Sequence, residues 1–260
     1  MRKIQLFLIF IFCTTFTVNF AFSQISTDKF ILAGKKQLAE ATDNWNEANI
    51  IKARSIFERL LAQKKEESLA HYYTGLADYR LASRYFISQD ARAGQYLDDG
   101  IKNLEQAIKK NKKFADAHAL LATLYGQKIS LNPSLAMSLG QQSFVSFENA
   151  KRLQPNNPRV LLLQATSVYY TPEQFGGSKI KAMRQMQVAI EQFGKEKGTD
   201  PLLPDWGYED ALMMMATWQM ESGDHAAALK FVNKTLQINP DFGWAKAVKD
   251  SLAKELKKEN

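Results

Sequence analysis

The chain has 260 residues, 45% hydrophobic and 23% charged, with 34 Lys+Arg against 27 Asp+Glu and a net charge of +7 at pH 7. These are globular proportions; with 13 Gly and 7 Pro they exclude a disordered, collagen-like or low-complexity chain. A single cysteine excludes an internal disulfide and a thiolate metal cluster built from this chain alone.

Residues 1–23 read MRKIQLFLIFIFCTTFTVNFAFS. Arg2 and Lys3 form a short positive start, Leu6 to Cys13 are apolar, and Ala21 and Ser23 sit at −3 and −1 of a small-x-small cleavage site. That layout predicts a secretory signal peptide with a mature chain from Gln24. The competing reading is a retained anchor, but a transmembrane helix needs about 20 predominantly apolar residues, and Thr14, Thr15, Thr17 and Asn19 dilute the second half. Cys13 follows Phe12, not a small residue, so it reads as a hydrophobe of the leader and not as a lipid-attachment site. Cleavage removes the only cysteine and two basic residues, leaving 32 basic against 27 acidic residues, a net +5. The charges are mixed along the chain, as on solvated helix faces, and do not form a nucleic-acid stripe.

Beyond the leader the chain repeats itself. In the 34 residues Glu209–Phe242, position 8 is Ala216, position 20 is Ala228, position 24 is Val232, position 27 is Thr235 and position 32 is Pro240. The same frame starts at Gly34, Ser68, Ala115 and Pro158. Position 8 is then Ala41, Gly75, Ala122, Ala165 and Ala216; position 20 is Ala53, Gly100, Ser143, Ala182 and Ala228. Two helices that cross closely need side chains of about one carbon at their contact points, and a bulkier residue at position 24 fills the space between them. A proline at position 32 stops the second helix.

This pattern resembles the tetratricopeptide (TPR) repeat. The resemblance implies an all-α fold of paired antiparallel helices, about eleven in all, stacked as a right-handed superhelix over 24–260. The first copy, with Gln37, Glu40 and Asn44 at positions 4, 7 and 11, reads as a capping pair. Copy two carries 13 extra residues between Asp78 and Gly100, copy three nine around Gln127–Pro133, and copy four five near Thr171–Ser178 and 12 near Lys195–Gly207. Such insertions are either recognition loops or tolerated drift. Residues 243–258 continue with Trp244, Val248, Leu252 and Leu256 at a spacing of four, an amphipathic helix that would cap the last repeat.

Little in the chain points to chemistry. His71, His118 and His225 lie far apart in sequence, so no metal site is expected. Gly176-Gly177-Ser178 before Lys179 reads as a turn with a serine N-cap more readily than as a phosphate cradle. No nucleophile, paired acid–base groups or cofactor fingerprint appears. The chain is therefore expected to be non-catalytic and without a cofactor.

In the TPR family the first helix of each pair lines a concave groove. Carried over to this sequence, the groove candidates are Tyr72, Tyr79, Arg80, Thr123, Gln127, Arg159, Thr166, Tyr169, Tyr170, Met213 and Thr217, with Lys35, Thr42 and Asp210 on the same lining. Tyr and Arg are enriched at binding hot spots, and methionines adapt to irregular apolar surfaces. The alternative is that the insertions fold back and bury these side chains as core. The resemblance implies a protein or peptide partner in the periplasm or outside the cell, no nucleic acid, and no stable membrane insertion after cleavage. A second reading is a small-ligand or glycan pocket near Tyr169, Tyr170 and the Thr171–Ser178 loop.

Overall fold

The computed structural model describes residues 27–198 and 200–256. The leader at 1–23 and the last residues of the expected 243–258 cap lie outside them. The described residues hold eleven α-helices and no strand: α1 (27–43), α2 (Glu47–Ala62), α3 (Glu67–Ile87), α4 (Arg92–Lys110), α5 (Ala115–Leu131), α6 (Ala136–Leu153), α7 (Pro158–Tyr170), α8 (Lys179–Phe193), α9 (Tyr208–Glu221), α10 (His225–Ile238) and α11 (Gly243–Leu256). Short 3-10 turns at Pro133–Leu135 and Glu173–Phe175 precede α6 and α8. Side-chain caps set several starts. Asn46, Asn157, Ser178 and Asp224 accept first-turn N–H groups of α2, α7, α8 and α10.

The helices pack as consecutive antiparallel pairs, and the tight positions are where they touch. Ala53, Ala122, Ala165, Ala182, Ala216 and Ala228 are fully buried, and Ala41 is nearly so. The approach is closest between α3 and α4, where both positions are glycine. A Cβ on Gly75 would lie 2.8 Å from Leu104 Cγ, and one on Gly100 would lie 2.8 Å from Leu124 Cδ1 and 3.1 Å from Asp78 Cβ. In the next pair Ser143 donates its hydroxyl to the Ala122 carbonyl at 2.9 Å. The bulkier residues behind these contacts, Phe57, Leu104, Phe147, Met186 and Val232, are all buried.

The two ends of the stack are treated differently from its middle. Glu40 of α1 and Asn44 of the turn after it are exposed, so the outer face of the first pair meets water. At the other end Leu252 is buried, and Trp244 and Val248 pack on the Met213–Ala216–Val232 cluster. The extra residues of copies two and three lengthen helices, extending α3 to Ile87 and α5 to Leu131. Those of copy four, after α8, form a strap that turns into the concave side. The stack also closes on itself. Asn239 Nδ2 donates to Asp43 at 2.8 Å, and the start of α11 comes so near α1 that a Cβ on Gly243 would meet the Asp43 carbonyl at 2.8 Å.

Candidate functional site

The concave side is built from α1, α3, α5, α7 and α9, and the strap between α8 and α9 fills it. The strap begins with a turn. Leu203 N–H donates to the Asp200 carbonyl at 3.2 Å, and the Asp200 carboxylate accepts from Leu202 N–H at 2.9 Å. Such a turn leaves its remaining carbonyls unpaired. Lys35 Nζ donates to Pro201 O at 2.5 Å and to Leu203 O at 2.6 Å, and the Tyr73 hydroxyl donates to Leu202 O at 2.6 Å. Further along, Trp206 Nε1 donates to the Tyr72 hydroxyl at 2.9 Å, and Arg80 lies over the Trp206 ring at 5.0 Å. Lys35 also pairs with Asp205 at 3.1 Å. Beside the strap a cavity of about 240 Å³ remains, lined among others by Thr42, Asp43, Leu76, Arg80, Trp206 and Glu209. Burial raises the carboxyls of Asp43 and Glu209 above the ordinary range.

Most of the expected groove residues are consequently not open to a partner. Tyr72 and Met213 are fully buried, and burial raises the Tyr72 phenol well above its usual value. Arg80 is buried and holds Asp210 through two hydrogen bonds of 2.9 and 2.6 Å. Arg159 is buried too. It donates to Asp116 at 2.6 Å and grips Glu196 of the strap with both terminal nitrogens. Tyr169 stacks on Trp218 at 4.1 Å and donates to Glu221 at 2.6 Å. The threonines at repeat position 9 turn inward on their own helices. Thr123, Thr166 and Thr217 donate to the carbonyls four residues back, those of Ala119, Leu162 and Met213. Tyr79 is half-buried beneath Arg80. Gln127 donates to Ser83 at 3.3 Å, and its carbonyl oxygen is buried without a partner among the described residues. Tyr170 is the exception: it is 58% exposed. An open groove with these side chains on its walls is thus corrected to a filled one: the strap covers Tyr72, Arg80 and Arg159, and neighbouring helices cover Tyr169 and Met213.

Sequence reasoning missed Tyr73 and Trp206, which do most of the gripping with Lys35. The available signal was the 12-residue insertion with two prolines and a tryptophan before α9.

Exposed apolar side chains gather elsewhere, on the edge formed by the turns inside each helix pair. The starts of α5 and α7 are tied by Asp116 and Arg159, and the far ends of α3 and α5 by Ser83 and Gln127, so these helices run parallel and their ends share an edge. That edge carries Phe86 and Ile87, Leu131, Met137, Tyr170 and Phe175, exposed by 41%, 77%, 45%, 95%, 58% and 72%. The extra helical turns of copies two and three end there.

Two of the histidines lie on seams: His71 Nδ1 is 3.1 Å from Asn103, and His118 Nε2 is 3.1 Å from the Lys112 carbonyl, with burial lowering its pKa. Among the described residues no three His, Cys, Asp or Glu side chains group as a metal site, and no helix is long and apolar enough to cross a membrane. Ser178 caps α8 by accepting from Lys181 N–H. The preceding Gly177 packs against the Thr171 carbonyl, where any side chain would collide.

The sequence matches no family model and no curated protein. Its structure is similar to that of the HusA haemophore from Porphyromonas gingivalis, with 21% identity, 76% of this chain and 94% of that one covered, and a TM-score of 0.61. It is also similar to TTC0263, a thermophilic TPR protein in Thermus thermophilus, with 14% identity, 85% and 98% covered, and a TM-score of 0.58. The chain has a TPR-like fold, an all-α solenoid of paired helices.

Proposed function

We propose that the protein is a non-catalytic docking module, exported to the cell envelope or beyond, that holds a protein or peptide partner on its turn edge. The observation that carries this reading is the row of exposed apolar side chains from Ile87 to Phe175 along one edge of the stack. Exposed apolar area of that kind marks an interaction surface in a soluble fold. The leader-like layout of residues 1–23 supports export. Crosslinking and capture of the mature chain from envelope extract tests it, with Ile87→Ser, Met137→Ser and Phe175→Ser combined. Partner recovery should fall to background in the triple variant at unchanged melting temperature. Undiminished recovery would remove the edge from consideration.

A second reading is a planar apolar ligand bound at the same edge. It is favoured by the likeness to a haemophore and by two exposed aromatic side chains, Phe175 and Tyr170, the latter edge-on to the Tyr169–Trp218 stack. Titration with haemin discriminates the two. A stoichiometric Soret shift weakened by Tyr170→Ala and Phe175→Ala supports the ligand reading; free-haemin spectra throughout reject it.

A further inference from the structure

The strap is held in an unusual way. Its side chains are not deeply sunk: Leu202 and Trp206 are half-buried, Leu203 is 44% exposed, and of the side chains in 200–206 only that of Pro204 is fully covered. The strongest contacts are instead to its main chain. Three successive carbonyls, those of Pro201, Leu202 and Leu203, each receive a hydrogen bond of 2.5–2.6 Å from Lys35 or Tyr73. A turn leaves carbonyls pointing outward with no internal donor, and their burial is unfavourable unless donors are supplied. Lys35 and Tyr73 supply them from two different helices, and they do so without regard to the side chains that the turn carries. Side-chain contacts add selectivity: the Trp206 indole donates to the Tyr72 hydroxyl and lies under Arg80, and Asp205 pairs with Lys35.

We propose that this surface of α1 and α3 is a turn-reading site occupied in cis by residues 200–206, and that its ligand in trans is a proline-led turn followed by an aromatic residue on a partner protein. The site is separate from the turn edge, and either can fail alone. The strap is suited to leave. On its entry side Glu196 is tied to Arg159, but Lys195, Lys197, Gly198, Asp200 and Pro201 are exposed, and the 240 Å³ cavity leaves the strap unpacked where Trp206 lines the space. Segments with few buried apolar contacts open at low free energy. The cis copy competes at high effective concentration, which keeps the site closed to weak ligands.

The test uses a fluorescein-labelled peptide with the sequence of residues 198–208 and three forms of the full chain. These are the unaltered protein, a strap-opened form carrying Leu202→Ser and Trp206→Ala, and that form with Lys35→Met and Tyr73→Phe. Fluorescence anisotropy should show binding to the opened form at least tenfold tighter than to the unaltered protein, and its loss in the third form. A folded opened form that takes up no peptide overturns the proposal, as does equal binding to the opened and third forms. Should the opened form not fold, hydrogen exchange on the unaltered protein decides. Amides of Leu202, Leu203, Asp205 and Trp206 exchanging well before those of α3 and α9 sustain a displaceable strap; exchange only on global unfolding refutes it.

Discussion

The fit of α3 against α4 yields a sharp numerical expectation. Ala occupies the corresponding position in the other four copies, yet Gly75→Ala should destabilise this one. The new Cβ would lie 2.8 Å from Leu104 Cγ and 3.1 Å from its Cδ2, where carbon atoms favour about 3.5–4.0 Å. Cγ is the branch point of a fully buried side chain, so it cannot retreat without a change of rotamer. Overpacking of this kind costs about 1–3 kcal/mol, while removing a glycine from a helix interior gains about 1 kcal/mol. The net is a loss of about 1 kcal/mol. Gly140 in α6 is the control, because a Cβ there meets nothing within 4 Å. Gly140→Ala should gain about 1 kcal/mol from the helix term alone. The two variants should therefore differ by about 2 kcal/mol, or roughly 4–8 °C in melting temperature for a chain of this size. Urea titration followed by far-UV circular dichroism and by tryptophan fluorescence measures this, and coincidence of the two curves checks that unfolding is two-state. A Gly75→Ala protein as stable as Gly140→Ala would mean that the helices are not in contact at the glycine pair, and the repeat register would fall with it.

Stability should rise as pH is lowered from 8 to about 5.5. Burial pushes the Asp78 carboxyl up from 3.8 to about 7 despite the opposing pull of Arg54 and Asn103. The folded state therefore binds a proton that the unfolded state has released, and stability is lost as pH rises through that window. Asp43, Asp116 and Glu209 are raised by burial in the same sense, while the lowered pKa of His118 opposes them. The urea midpoint at pH 5.5 should exceed that at pH 8, with the difference reduced in Asp78→Asn; a lower midpoint at pH 5.5 contradicts the argument. Asp116 and Arg159 form a buried pair completed by Asn157. Arg159→Met alone should cost about 3–5 kcal/mol, and less when Asp116→Leu accompanies it, because the lone carboxylate is then removed; additive losses in a double-mutant cycle would show the pair to be uncoupled. On the turn edge, Met137→Ser and Phe175→Ser should each change stability by no more than about 0.5 kcal/mol, read as an unmoved melting temperature. A large loss from either would mean that these side chains hold the fold together and do not face a partner.

The repeat architecture was legible because it is a local matter. Small residues twelve repeat positions apart, not counting the inserted residues, face each other across one turn, so Ala122 meets Ser143 and Gly75 meets Gly100 once the hairpin forms. Capping residues such as Asn157 and Ser178 act on amides two or three residues away, and they can be read from sequence for the same reason. The candidate site was legible only as a set of helix faces. Whether Tyr72 or Arg80 meets water depends on where an insertion more than a hundred residues later comes to rest. Trp206 reaches Tyr72 across 134 residues, and Lys35 reaches Leu203 across 168. No periodicity encodes such contacts. They are chosen because a turn with three unpaired carbonyls and a concave wall with unpaired donors satisfy each other on burial. The sequence by itself determined that helices would form, pair and stack; the tertiary structure decided that the hollow they make is filled by the chain itself, since only the folded stack brings those distant donors and acceptors within bonding distance.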